Sequence, residues 1–288
     1  MVDGMVTGEL TVGGRERTVL MRPPSEPGRP LVLVLHGNQS GGKKREWRDW
    51  TTFRTNADRW GIGVAFPQGW SACWADGRGV TLADEAGVDD VAFLRAVIEW
   101  SAERYETVAE HSIVAGISNG AFMAHRAGLE IGDLVPVFAA VAGGLPADLA
   151  GVKPTHAVSA ILINGDGDPW VPIEGGHSRH RGPDGELRGR TYGLAESGQH
   201  WRELNGCAGA GETIRTDQSE RELSGLGTGG TRILEWTVFG GGHTWPGVAI
   251  PAEHAGVPGA NSTMEFDGAE EIWRFAQPLL TSPEDRKL

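Results

Sequence analysis

Gly116-Ile117-Ser118-Asn119-Gly120 stands between the apolar run Ser112-Ile113-Val114-Ala115 and the helix-like stretch Ala121-Phe122-Met123-Ala124. Strand, sharp turn and helix in that order is the setting of a nucleophile elbow. A serine hydroxyl is a poor nucleophile, so it must be held at the tip of a tight turn where a histidine can take its proton. Glycines on either side let the backbones approach that closely.

Outward from this segment the chain alternates strands and helices. Val6 to Val12 and Arg17 to Met21 alternate in polarity around Gly13-Gly14 and predict a β-hairpin. Leu31 to Leu35 is continuously apolar, as expected of a strand covered on both faces. Trp47, Trp50, Phe53, Ala57 and Trp60 fall at near-helical spacing, and Ile62 to Phe66 reads as the next buried strand. Asp89 to Trp100 predicts an amphipathic helix, with Asp89 and Asp90 at its start, where carboxylates suit the positive dipole end. Val137 to Val141, Ala160 to Ile163 and Ile233 to Phe239 read as further strands, and Glu265 to Leu280 as a closing helix. The pattern implies an α/β fold with a mostly parallel central sheet flanked by helices, in one domain spanning 1–288. Residues 175–230, rich in Gly, Arg, His and Glu, read as an irregular insertion carrying one helix, Glu196 to Leu204, and as a possible lid.

The 288 residues are 39% apolar, enough for a sizeable core, and the 44 glycines cluster at turns. A net charge of −12 and a pI near 5.2 disfavour nucleic acid and anionic membranes as partners. No apolar run approaches the roughly 18 residues of a membrane span. The start Met1-Val2-Asp3-Gly4 lacks the features of a signal peptide, so a cytoplasmic location is expected, or a secreted one if a leader has been removed. Cys73 and Cys207 fit no metal spacing, and read either as two thiols or as a disulfide between loops.

Ser118 needs a base, and His243 follows the strand ending at Phe239 within Gly240-Gly241-Gly242-His243-Thr244-Trp245-Pro246-Gly247. An acid should fix its tautomer. Asn164-Gly165-Asp166-Gly167-Asp168-Pro169 follows another strand and offers Asp166 and Asp168, although Asp and Gly also serve turns. Pro169 biases Asp168 toward an extended conformation. Ser118, Asp168 and His243 follow one another in the chain order of the α/β-hydrolases. The backbone N–H groups of Asn119 and Asn38 are the expected oxyanion donors. His36 reads as a loop-shaping residue, His125 as a packing residue, and His177 with His180 as a weak metal pair without a third ligand, so no metal or cofactor is expected.

With these residues in place, the chain resembles the polyhydroxybutyrate-depolymerase-like esterases, the group that also holds feruloyl and acetylxylan esterases of carbohydrate esterase family 1. The carriers are Leu35-His36-Gly37, Cys73-Trp74-Ala75-Asp76-Gly77-Arg78, Val88 to Leu94, Gly116 to Gly120, Asp168-Pro169-Trp170-Val171-Pro172 and Gly241 to Gly247. The resemblance implies an α/β-hydrolase with Ser118 as nucleophile, Asp168, directly before the proline, as acid and His243 as base. Asn164 stands where that family often has a histidine. Family members are often exported, which this chain's start does not suggest.

Trp74, Trp170 and Trp245 lie beside the candidate loops and are expected to line a substrate site, with core packing as the alternative. Asp76-Gly77-Arg78 reads either as a substrate contact or as a structural ion pair. The expected partner is a small-molecule or oligomeric ester, either short-chain or hydroxyalkanoate-type. Feruloyl or acetyl esters on carbohydrate, and acyl transfer to another acceptor, are the alternatives. A non-catalytic binding module for glycans or aromatics is a third class, disfavoured by the intact Ser, Asp and His set.

Overall fold

Gly13 and Gly14 both take positive φ, 56° and 74°, which a two-residue type I′ hairpin turn requires. They join β1 (Val6–Val12) to β2 (Arg15–Arg22) in an antiparallel pair. The computed structural model describes residues 4–38, 51–177, 181, 184–187, 189–208, 211–250 and 256–288. Trp47 and Trp50 of the expected first helix lie outside these residues. Within the described residues a helix, α1, spans Phe53–Trp60.

The chain continues through β3 (Leu31–Leu35), β4 (Gly63–Pro67), the short α2 (Leu82–Glu85), α3 (Asp90–Tyr105), β5 (Ser112–Ile117), α4 (Asn119–Glu130), β6 (Val137–Val141) and β7 (Ser159–Gly165). Then come β8 (Gly175–His177), β9 (Arg190–Tyr192), α5 (Leu194–Asn205), β10 (Glu212–Arg215), β11 (Ser219–Leu223), β12 (Ile233–Val238) and α6 (Gly268–Ala276). Ten strands form one sheet in the order β1-β2-β4-β3-β5-β6-β7-β12-β11-β10. From β4 to β12 all neighbours are parallel, and antiparallel pairs close both edges.

Both faces of the sheet are covered, which explains why its central strands read as unbroken apolar runs. Within β3, Leu31, Leu33 and Leu35 join one core with Phe93, Met123, Phe138 and Trp201. Val32 and Val34 point the other way, into a core with Phe53, Trp245, Ile272 and Trp273. Among the described residues no helix is long and apolar enough to cross a membrane.

The segment 175–230 departs from its expected irregularity. Helix α5 packs on β12 and β7, with Trp201 fully buried, and β10 and β11 extend the main sheet beyond β12. Most of the segment is therefore part of the fold. Only β8 and β9 stand apart, as a separate two-stranded sheet. Strand β10 is exposed along its whole length, so no hydrophobic alternation marked it in the sequence.

Asp89 caps α3, accepting from Ala92 N at 2.8 Å. Asp90 does something else. Its buried carboxylate bonds Arg17 Nη2 at 2.6 Å and Ala75 N at 2.7 Å, tying β2 to the Trp74 loop. Burial pushes its pKa up against the pull of Arg17.

Candidate active site

The parallel strands β3, β5, β7 and β12 deliver His36-Gly37-Asn38, Ser118, Asp168 and His243 to the same carboxyl edge of the sheet. Reactive groups gather at that edge in open α/β sheets. Ser118 sits between β5 and α4 with φ 57° and ψ −120°, a conformation that costs a non-glycine residue on the order of 1–3 kcal/mol. Its neighbours make the turn possible. A Cβ on Gly116 would fall 2.1 Å from Gly120 O, and one on Gly120 would fall 2.5 Å from Leu35 O. Gly37 passes close to the serine, so that a Cβ there would lie 3.8 Å from Ser118 Oγ.

His243 and Asp168 meet directly, Nδ1 to Oδ2 at 2.6 Å, across 75 residues of chain. The other carboxylate oxygen accepts the N–H groups of Trp170 at 2.8 Å and Val171 at 3.0 Å. The Asp168 side chain keeps 1% of its surface exposed and the His243 ring 19%, so the acid is shielded and the imidazole reachable. Asp166 has a separate task, accepting Gly240 N at 2.6 Å at the start of the histidine loop. A second strand of chain holds that loop from the other side: Gly242 N donates to Asn261 O and His243 N to Gly259 O, both at 2.8 Å. Neither contact was legible in the sequence, because both run through backbone atoms.

Asn119 opens α4, where first-turn N–H groups have no acceptor within the helix. Asn38, exposed, is the last described residue of the loop after β3. His36 shapes that loop. Its Nδ1 donates to Gly37 O at 2.7 Å and its Nε2 accepts Gly69 N at 3.0 Å, a pairing for the neutral ring. Burial lowers its pKa to about 4, in keeping with that neutrality.

Two of the three tryptophans are core residues. Trp74 is fully buried and donates its Nε1 to His36 O. Trp245 is 4% exposed and packs edge-on against Phe53 at 6.0 Å. Neither offers a face to a substrate. Trp170 alone of the three is half-buried. Asp76 and Arg78 form a buried ion pair at 2.6 Å, with the guanidinium over the Phe122 ring, so this pair is structural. A narrow crevice lined by Ile163, Val238, Gly242 and Thr244 borders the histidine loop, and Ser118 is not among its lining residues.

His125 is fully buried and accepts Trp201 Nε1 at 2.9 Å; burial lowers its pKa to about 3. His177 is exposed on β8, and His180 lies outside the described residues. Among the described residues no three His, Cys, Asp or Glu side chains gather as a metal site. Cys73 and Cys207 are free thiols, both pushed up in pKa by burial.

No model of a known protein family matches the chain. A relative named "Putative esterase NocK", from Nocardia uniformis subsp. tsuyamanensis, is 32% identical over 263 residues, covering 84% of this chain and 74% of its own. Among solved structures, an acetyl xylan esterase from Aspergillus awamori superposes with a TM-score of 0.58 at 14% identity, over 94% of this chain and 99% of that one. A structure described as native sOPH superposes with a TM-score of 0.57 at 15% identity, over 99% and 90%. These superpositions show that the sheet and its helices form the α/β-hydrolase fold.

Proposed function

The chain belongs to the esterase family of NocK, and on that premise we propose that it is a serine carboxylic-ester hydrolase working through Ser118, His243 and Asp168, of the polyhydroxybutyrate-depolymerase-like kind. The observation that carries the reading is the 2.6 Å bond from His243 Nδ1 to the shielded Asp168 carboxylate, two strands from a serine in elbow geometry.

Ser118 Oγ attacks the ester carbonyl as His243 Nε2 takes its proton, and Asp168 stabilises the imidazolium that forms. The N–H groups of Asn119 and Asn38 receive the oxyanion. The imidazolium then protonates the leaving alkoxide, and water, activated by the same ring, clears the acyl-enzyme. Trp170 borders the acyl or alcohol group. Of Trp74, Trp170 and Trp245, only Trp170 has its indole outside the core, which favours a short-chain or hydroxyalkanoate ester over a large aromatic acyl group.

The test is hydrolysis of 4-nitrophenyl butyrate, a soluble 3-hydroxybutyrate oligomer, methyl ferulate and acetylated xylose by wild type and Ser118→Ala. Turnover is expected on the first two and should vanish in the variant. Retained activity in Ser118→Ala refutes the serine mechanism. Preference for the last two moves the substrate to carbohydrate esters. Acyl products formed on added alcohols at the expense of free acid indicate a transferase.

A further inference from the structure

Trp74 connects the two loops that would flank the oxyanion. Its indole Nε1 donates to His36 O at 2.9 Å, two residues before Asn38. Its own main chain is held by the Asn119 carboxamide, with Trp74 N donating to Oδ1 at 2.7 Å and Nδ2 donating to Trp74 O at 3.1 Å. Nδ2 also donates to Asp76 Oδ2 at 2.5 Å, within the Asp76–Arg78 pair. Trp74, Asn119, Asp76 and His36 are each at most 1% exposed.

The geometry points to Trp74 and the Asn119 side chain as positioning residues that set the gap between the two oxyanion donors. The inference rests on the Ser118 mechanism above. Oxyanion donors act when held about 2.7–3.1 Å from the developing charge. Two donors on separate loops keep that spacing only if the loops are tied together. Asn119 carries its N–H and its carboxamide on one residue, so pinning the carboxamide fixes the peptide beside it. From there the tie runs through the Trp74 backbone and indole to His36 O. The His36 ring, bonded to Gly37 O and Gly69 N, holds the far end.

Trp74→Phe keeps most of the ring volume and deletes the Nε1 donor, and Asn119→Ala removes the clamp. For each variant and for the double variant, kcat and KM are measured on 4-nitrophenyl butyrate, together with the rate ratio between a matched ester and its thionoester. Sulfur is larger and a weaker acceptor than oxygen, so a rigid hole penalises the thionoester and a loosened one does so less. Each single variant should lose about 10- to 100-fold in kcat, short of the roughly 10²–10³ that follows outright removal of a donor. KM should stay within about twofold, the ester-to-thionoester ratio should fall, and the double variant should be no worse than the weaker single one, as members of one chain require. An unchanged ratio, or a loss confined to KM, overturns the inference. Circular dichroism checks folding, and if Trp74→Phe does not fold, Asn119→Ala carries the same readouts. Activity surviving in Ser118→Ala would sink the mechanism itself. Inactive Ser118→Ala alongside a wild-type ratio in both variants would sink only the tie.

Discussion

Asp166 and Asp168 leave the same strand two residues apart and hold the same loop by different atoms. Asp168 grips the imidazole of His243, and Asp166 the backbone of Gly240. Their variants should separate accordingly. In Asp168→Asn the amide oxygen keeps the Trp170 and Val171 N–H groups, which turns the NH₂ toward His243 Nδ1. That nitrogen must then accept, the proton moves to Nε2, and on the proposed mechanism the ring can no longer take one from serine. Steady-state kinetics should show kcat down on the order of 10⁴-fold. Asp166→Ala loses one exposed hydrogen bond, worth about 1 kcal/mol, and kcat should drop roughly fivefold. The order Ser, Asp, His and the proline after Asp168 were readable in the chain, since each sits at a strand end that hydrophobicity marks. Which tryptophan faces solvent was not, because adjacency to a site residue says nothing of side-chain direction, and Trp74 and Trp245 turn inward.

Helices and strands differed in legibility for a physical reason. β3 and β6 match their apolar runs residue for residue, as strands buried on both faces should. β10 is exposed along its length and β11 is only partly covered, so neither carries the alternation that marks a strand in the sequence. Helix α5 is legible as a helix but not as part of the core: its polar face, with Arg202 paired to Glu235 of β12, gives the segment a loop-like composition, while Trp201 anchors it beneath the sheet. Trp201→Ala decides between anchor and lid. Thermal or urea unfolding should show a loss of about 3–5 kcal/mol, the usual cost of emptying a buried aromatic site, with KM nearly unchanged. A lid residue would show the reverse.

At the level of the whole molecule, buried neutral histidines set an acid limit on stability. Burial depresses His36 to about 4 and His125 to about 3, whereas in the unfolded chain both titrate near 6.5. Between those values the unfolded state binds protons that the native state refuses. The stability contribution is therefore complete above about pH 6.5 and is lost as pH falls toward 4 and 3. Urea denaturation should show stability falling by up to about 1.4 kcal/mol per pH unit for each ring below pH 6. His125→Asn should flatten that slope. The same global view bears on how the site comes into being. The elbow needs its sheet neighbours β3 and β6, whereas His243 reaches Asp168 only where β12 has docked on β7. Both sets of contacts join distant stretches of chain and must meet their loop entropy, yet they belong to different strand pairs. A chain in which that docking failed would keep the elbow and lose the proton acceptor that the proposed mechanism gives it, ordered in outline and chemically silent.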